Sequence, residues 1–191
     1  MKSSLLPEPL DFSEYKDLES QEEYAYRYFL SNIKNEGKRE KLNEKKIIIN
    51  TNRQYLEAKE EAFEHLTGFN QTNSYSHSPC LNLDIEMLCS IKCEVEKVPP
   101  NQRILCLYRA RFLPWFNSII KLASNNDKHI KKWEVKKAKD TRLLIRFQEG
   151  NADYLIVLRK LKTDYKLVTA YPLFTKGDRA KCDREYSASK K

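Results

Sequence analysis

The fold is decided by the stretch Asp153-Tyr-Leu-Ile-Val-Leu-Arg-Lys-Leu-Lys-Thr-Asp-Tyr-Lys-Leu-Val-Thr-Ala-Tyr-Pro-Leu173. Two runs rich in aromatic and β-branched residues, 154–161 and 165–173, flank a polar turn at residues 162–164. This pattern predicts an antiparallel hairpin. Pro172 is expected to end the second strand, because proline cannot donate to a sheet ladder.

The hairpin extends backwards along the chain. Residues 141–148 predict a strand closed by a turn at 149–151, and residues 131–137 predict another. In front of them, the apolar run 114–123 predicts a helix. The predicted fold is therefore α+β: a helix packed on a four-stranded antiparallel sheet, with a helical N-terminal region.

Strand parity assigns side chains to the two faces of this sheet, because successive residues of a strand point to opposite faces. Leu143, Ile145 and Phe147 form the face toward the helix. Trp133, Val135, Val168 and Ala170 are expected on that same face. The open face is then expected to hold Lys132, Glu134, Lys136, Arg142, Arg146, Thr169 and Tyr171.

The N-terminal part of the chain is predicted to be an arm and a helix over residues 1–46, followed by a body over 47–191 that is best supported at 101–186. Residues 35–46 are charged and mark the boundary. The capping-box pattern at Ser20 predicts the start of a helix, and a second helix is predicted at 53–66. Alternation over 81–95, broken at Leu88, predicts a half-buried strand with a bend or break near that residue.

Charge is distributed unevenly along the chain, whose formal net charge is +8. Residues 1–108 carry 14 Lys and Arg against 18 Asp and Glu, whereas residues 109–191 carry 21 against 9. A basic C-terminal body is typical of proteins that bind polyanions. A solvated basic surface without a ligand is the equally open alternative.

Composition also excludes several classes of protein. No apolar run reaches the ~20 residues of a membrane helix, and residues 1–9 lack the apolar stretch of a secretory signal. We therefore expect a cytoplasmic protein without membrane contact, whose five cysteines are thiols.

His77, Cys80, Cys89 and Cys93 lack the tight pairs of a zinc site, so no metal and no cofactor is predicted.

The helix at 114–123, the four-stranded meander and the final Leu167-Val-Thr-Ala-Tyr-Pro172 together resemble the barnase/EndoU/colicin/RelE-like superfamily of small RNases. The segment Arg109-Ala-Arg-Phe-Leu-Pro-Trp115 resembles phage- and prophage-borne members. The similarity covers residues 101 to 186. It implies a metal-independent endoribonuclease of phage, prophage or toxin-like type, in which the ribose 2′-hydroxyl attacks the adjacent phosphate.

Such chemistry requires a base, an acid and cations, and the resemblance implies candidates for each. Arg142 and Arg146 are expected to bind phosphate, and Glu134 is the candidate base. His129 or Tyr171 is the candidate acid. Thr169 and Tyr171 match the superfamily's final strand and are expected to bind phosphate or position a base. Further substrate-binding candidates are Lys132, Lys136, Arg111 and Arg159.

Two other functions are open at this point. The same sheet face is compatible with a non-catalytic RNA-binding or protein-interaction module, and residues 1–46 with the tether of a structural subunit in a larger assembly. Besides RNA, an inhibitory or assembly protein is therefore a candidate partner.

Overall fold

A computed structural model describes residues 1–52, 59–70, 103–137, 140–173 and 175–190 of the 191-residue chain. Within these ranges the helices are α1 (Leu18–Phe29), α2 (Glu61–Thr67), α3 (Leu107–Ala110), α4 (Trp115–Ser124) and α5 (Lys176–Ala188), and a π-helical turn, Leu30–Lys34, extends α1. The strands are β1 (Ile47–Ile48), β2 (Gly68–Asn70), β3 (Arg103–Leu105), β4 (Ile130–Lys137), β5 (Asp140–Glu149), β6 (Ala152–Lys160) and β7 (Tyr165–Pro172). The predicted strand at 81–95 lies outside the described residues.

The main sheet confirms the predicted α+β class but has one strand more than expected. Strands β4 to β7 form an antiparallel meander, and β1 adds in parallel to β7, so that the order is β1-β7-β6-β5-β4. The sheet is mixed because the Tyr165 amide donates to the Lys46 carbonyl at 2.9 Å and joins β1 to the hairpin. The three consecutive isoleucines at 47–49 predict this short strand, but two residues carry no periodicity that could indicate its pairing with β7.

One face of the sheet carries the principal hydrophobic core. Leu143, Ile145 and Phe147 pack there with residues of α4, as the strand parity of β5 predicts. The side chains that α4 buries recur at helical spacing: Trp115, Phe116, Ile119, Ile120 and Ala123. The predicted helix at 114–123 is therefore present and covers the predicted face.

The N-terminal region contributes to the same core. Ala25, Phe29 and Ile33, from α1 and its π-helical extension, are fully buried in this cluster. The helix begins earlier than the capping-box pattern predicts, because Asp17 rather than Ser20 is its N-cap and accepts from the Ser20 amide at 2.8 Å. Residues on both sides of the predicted boundary at residue 46 pack together, and the division itself stays a prediction.

The opposite face of the sheet is partly covered by α5 and is called the α5 face below. A smaller hydrophobic cluster fills the space beneath the helix: Trp133, Leu144, Leu155, Val157, Leu173 and Cys182. The remainder of this face is open toward α2. No helix in the described ranges has the length and apolar character needed to cross a membrane.

The predicted parity of β4 is wrong. Trp133 is paired with Leu144, and Val135 with Arg142, so Trp133 and Val135 lie on the α5 face. Glu134 is paired with Leu143 and lies on the α4 side, together with Lys132 and Lys136. The error arises because both faces of the sheet have an apolar layer, and an apolar side chain on β4 is compatible with either.

Candidate functional site

Three cations lie side by side across the open part of the α5 face. Arg142 on β5 is directly opposite Arg159 on β6, and Arg159 is directly opposite Lys166 on β7. Asp140 is the one described carboxylate in ion-pair range, with its Oδ2 at 3.5 Å from the Arg159 Nη1. Like charges directly opposite one another destabilise a sheet. We call these three residues the cationic row.

Helix α2 places a carboxylate and an imidazole beside this row. Glu61 and His65 are one helical turn apart and line a pocket of about 190 Å³ with Arg142, Arg159 and Lys166. We call this the α2 pocket. The Glu61 carboxylate also accepts from the Asn50 amide and lies 3.5 Å from the His65 Nε2.

The hydrogen bonds of His65 define its tautomer. Its Nδ1 is 3.1 Å from the Arg103 Nη2, and because guanidinium only donates, Nδ1 must be the acceptor. Nε2 therefore carries the proton and lies 3.5 Å from the Glu61 Oε1, and the ring also hydrogen-bonds the Val168 backbone. Burial, followed by the positive charges of Arg103 and Arg109, lowers the pKa of His65 to about 4. The ring is thus neutral at physiological pH.

A buried arginine holds α2 against β7. The Arg109 Nη2 donates to the His65 carbonyl at 2.9 Å and to the Ala170 carbonyl at 3.2 Å, and its Nη1 donates to the Gly68 carbonyl. Thr169 completes the contact, since its hydroxyl donates to the His65 carbonyl at 2.8 Å. Burial lowers the pKa of Arg109 to about 10, so it remains charged. The position of His65 therefore depends on the end of β7.

A second pocket, of about 240 Å³, lies between α5 and the sheet and is called the α5 pocket. Its floor is formed by Leu144, Leu155 and Val157, and its wall includes Tyr171. Further residues from α5 and the neighbouring strands complete the lining: Val135, Lys137, Arg142, Thr169, Asp178, Lys181, Cys182 and Glu185. Arg142 lines both pockets.

Four of the predicted site residues are brought together by this arrangement. Arg142 and Arg159 belong to the cationic row, and Thr169 and Tyr171 line the α5 pocket. Thr169 also contacts the helix that carries His65. Thr169 and Tyr171 lie on the α5 face as predicted, but the prediction that Val168 lies on the α4 side is wrong. Val168 also packs on the α5 face, because the pairing of β6 with β7 has a register shift.

Arg146 does not lie on an open surface, contrary to expectation. Its side chain is 2% exposed, and its guanidinium makes two hydrogen bonds of 2.7 Å to the Asp153 carboxylate. A third bond of 2.8 Å reaches Asp183 on α5. The sequence prediction failed because it did not include α5. This helix covers Arg146 and carries the second carboxylate, Asp183.

The predicted base and acid are also remote from the cationic row. Glu134 lies on the other face of the sheet and accepts from the Lys160 ammonium at 2.7 Å. His129 lies before β4, at the opposite end of the sheet from Arg142, with its Nδ1 at 2.8 Å from Asp127. These positions separate both residues from the arginines that they were expected to assist.

The remaining substrate-binding candidates are also dispersed. The Lys132 ammonium donates to the Ala123 carbonyl at 2.9 Å and so caps α4. Lys136 is exposed on the α4 side of β4. Arg111 lies beside the N-terminal arm, where its carbonyl accepts from the Leu10 amide at 2.8 Å.

The prediction missed Glu61, His65 and Lys166. Lys166 could have been found, because a turn at residues 162–164 places it opposite or next to Arg159. Glu61 and His65 share a helix face at i, i+4 spacing, but no local pattern indicates that this helix packs on β7. Their placement depends on Arg109 and Thr169, which are 44 and 104 residues from His65 in sequence.

Comparison with known proteins adds no relative: no protein-family model, no curated protein and no solved structure matches the chain. In the described part of the chain, no group of three or more His, Cys, Asp and Glu residues is arranged to hold a metal ion.

Proposed function

We propose that this protein is a metal-independent endoribonuclease that cleaves RNA in the α2 pocket. The observation that supports the proposal most directly is the position of Glu61 and His65 beside three adjacent cations. A carboxylate, an imidazole and a cationic row are the groups needed for attack by a 2′-hydroxyl. Membership of the barnase/EndoU/colicin/RelE-like superfamily, a phage or toxin-like character and a restraining protein partner stay predictions.

The cationic row would bind the scissile phosphate. Arg142 and Arg159 have the planar guanidinium that matches phosphate oxygens bidentately. Bound phosphate would offset the mutual repulsion of Arg142, Arg159 and Lys166, for which Asp140 is the nearby described carboxylate. The same cations would stabilise the additional negative charge of the phosphorane transition state.

Glu61 would act as the general base. Its carboxylate would take the proton of the 2′-hydroxyl as that oxygen attacks phosphorus. His65, held neutral with its Nε2 at 3.5 Å from the Glu61 Oε1, would help to position the carboxylate. The P–O5′ bond then breaks to give a 2′,3′-cyclic phosphate and a 5′-hydroxyl. Arginine cannot be deprotonated in proteins, so among the three cations Lys166 is the one that can protonate the leaving oxygen.

The charge of the C-terminal half favours a polyanionic substrate. Residues 109–191 contain 21 Lys and Arg and 9 Asp and Glu. A basic surface raises the local concentration of RNA and the rate of association. Because bound cations release counterions from the RNA, affinity should fall steeply with salt concentration.

Cleavage of a single-stranded RNA by the parent and by Glu61→Gln tests the proposal. We expect metal-free cleavage by the parent to leave 2′,3′-cyclic phosphate ends, and the variant to be slower by ~100-fold or more. An otherwise identical strand with a 2′-methoxy group at each position should remain intact. Lys128→Gln removes an exposed charge at the far end of the sheet and should retain full activity.

Binding without cleavage is the second candidate function. It is favoured by the low pKa of His65 and by the contacts that already occupy Glu61 and the His65 Nδ1. Salt-dependent RNA binding that Lys166→Gln weakens, with no cleavage of any strand by the parent, would favour this function and contradict the nuclease.

A further inference from the structure

The α5 pocket and the α2 pocket meet at Arg142, which lines both. The Nε of Arg142 is buried and has no hydrogen-bond partner among the described residues. An unsatisfied buried donor is costly and calls for a partner. An anionic oxygen on the cationic row would supply one. A ligand bound there by its phosphate would therefore lie at the opening of the α5 pocket.

The interior of the α5 pocket is suited to a flat apolar group. Leu144, Leu155 and Val157 are each at least nine-tenths buried and form its floor. The Tyr171 ring stands at its wall, with the Arg109 guanidinium carbon 5.1 Å from the ring centroid. Nucleobases are bound in proteins by stacking on aromatic side chains and on guanidinium planes, and every base has such a face.

The rim of the pocket is polar, in contrast to its floor. Lys181 and Glu185 project from α5, and Lys137 projects from the end of β4. A carboxylate accepts and an ammonium donates hydrogen bonds, so the rim can pair with the edge of a base whose faces lie against apolar side chains. A volume of about 240 Å³ is below the ~300 Å³ at which pockets for drug-sized ligands begin. The space therefore suits one base.

We propose that the α5 pocket is a nucleobase subsite, which holds the base of the nucleotide whose phosphate lies on the cationic row. This assignment rests on the proposed function, since the phosphate site orients the ligand. It makes the substrate class a single-stranded RNA with at least one unpaired base, because a paired base cannot enter a pocket between a helix and a sheet. Base preference then comes from Lys137, Lys181 and Glu185.

Titration of the parent with ribose 5-phosphate and with the 3′- and 5′-monophosphates of all four nucleosides tests the subsite. We expect at least one mononucleotide to bind about 10-fold or more tightly than ribose 5-phosphate, the difference being base stacking. Val135→Phe places a ring in the pocket and should remove this preference while leaving ribose 5-phosphate affinity unchanged. Thr141→Phe, directed to the other face of the sheet, is the matched control and should preserve it.

Methyl NMR signals of Leu155 and Val157 give a measurement that does not depend on any variant folding. These signals should shift on addition of mononucleotides and stay unchanged with ribose 5-phosphate. Equal affinities for all ligands, or a base preference that a folded Val135→Phe retains, would overturn the subsite. The nuclease proposal would survive either result if Glu61→Gln still abolishes RNA cleavage. Absence of binding by every phosphate ligand and by RNA would overturn both.

Discussion

Arg142 and Arg146 lie four residues apart on one strand and point to the same face of the sheet, yet their surroundings differ completely. Arg146 is fully buried and shares its guanidinium between Asp153 and Asp183. Arg142 lies in a row with Arg159 and Lys166, and its Nε has no described hydrogen-bond partner. One arginine has its charge neutralised within the fold, and the other is placed where an external anion can reach it.

The difference shows that position on a strand does not reveal the role of a charged residue. What separates the two arginines is the balance of charge around each. Partners raise the pKa of Arg146, because the bonds to Asp153 and Asp183 outweigh the effect of burial. A buried pair that is fully hydrogen-bonded serves the fold, whereas adjacent like charges weaken a sheet. The cationic row is therefore the better candidate for binding.

The largest expected effect concerns Arg146. Replacement by Met removes both short hydrogen bonds of Asp153, which is 5% exposed, and leaves the Arg179 Nε at 3.6 Å as its cationic partner among the described residues. Breaking a buried pair in this way costs about 3–5 kcal/mol. We expect urea denaturation to show a loss of unfolding free energy of that size in Arg146→Met.

The double variant Arg146→Met/Asp153→Leu provides the matched control for that loss. Because it removes both buried charges, it should recover much of the stability that Arg146→Met loses. Equal instability of the single and double variants would show that packing, and not charge, governs this end of the sheet.

The next effect in size is stabilisation by an anion. A ligand that binds only the folded state at about 100 times its Kd adds about 2.7 kcal/mol to the unfolding free energy. Inorganic phosphate should raise the Tm of the parent and of Lys128→Gln, and should raise that of Lys166→Gln less. Phosphate also stabilises proteins by exclusion from their surface. The decisive quantity is therefore the difference between the Tm increases of Lys128→Gln and Lys166→Gln. Identical shifts would argue against an anion site at the cationic row.

Sequence patterns were sufficient for the central elements of the fold. Alternation in residues 141–148 predicted β5, the aromatic and β-branched run 165–173 predicted β7, and apolar spacing predicted α4. Each of these elements buries one face, and the apolar residues of that face recur at a regular spacing in the local sequence. The outward positions of Thr169 and Tyr171 followed from the same pattern.

The failures have a different origin, namely contacts between distant segments. Helix α5 is highly charged, and of its residues Cys182 is the buried one, so no apolar stripe indicated that it would cover Arg146. Likewise, His65 reaches β7 through hydrogen bonds to Arg109 and Thr169. Such placements depend on the assembled fold and leave no local periodicity. Arg142, Arg159, Thr169 and Tyr171 were therefore accessible from the sequence, whereas Glu61 and His65 of α2 were not.

A smaller effect is expected from pH, through His65. Its pKa is about 4 in the folded protein, below its ordinary value of 6.5. Between these two values the unfolded state binds more protons, so acidification favours unfolding. The charged groups facing the ring are Arg103, Arg109 and Glu61, and a hydrogen bond with the Val168 backbone partly offsets the lowering of its pKa. Because the side chain is 26% exposed, solvent moderates the effect.

Comparison of His65→Asn with the parent isolates this contribution. The Asn side chain can still accept from Arg103, but it does not titrate. We expect the parent to lose more Tm than His65→Asn as the pH falls from 6.5 to 4, and the two curves to be parallel above pH 7. Parallel curves over the whole range would show that the ring titrates normally in the folded protein.

The smallest expected effect has the opposite sign from the others. Lys166 lies directly opposite Arg159, and a like-charge pair at that position destabilises a sheet by roughly 0.2–1 kcal/mol. Lys166→Gln should therefore increase the unfolding free energy by an amount in that range while it weakens RNA binding. The same substitution at Lys160 removes a 2.7 Å contact with Glu134 and should leave stability unchanged or slightly lower. Urea denaturation at low ionic strength should show an increase in unfolding free energy for Lys166→Gln and no increase for Lys160→Gln. At about 1 M salt the Debye length falls to about 3 Å, so both changes in unfolding free energy should become smaller. A loss of stability in Lys166→Gln at low salt would mean that the cationic row is already compensated within the fold, and would remove the distinction between the two ends of the α5 face.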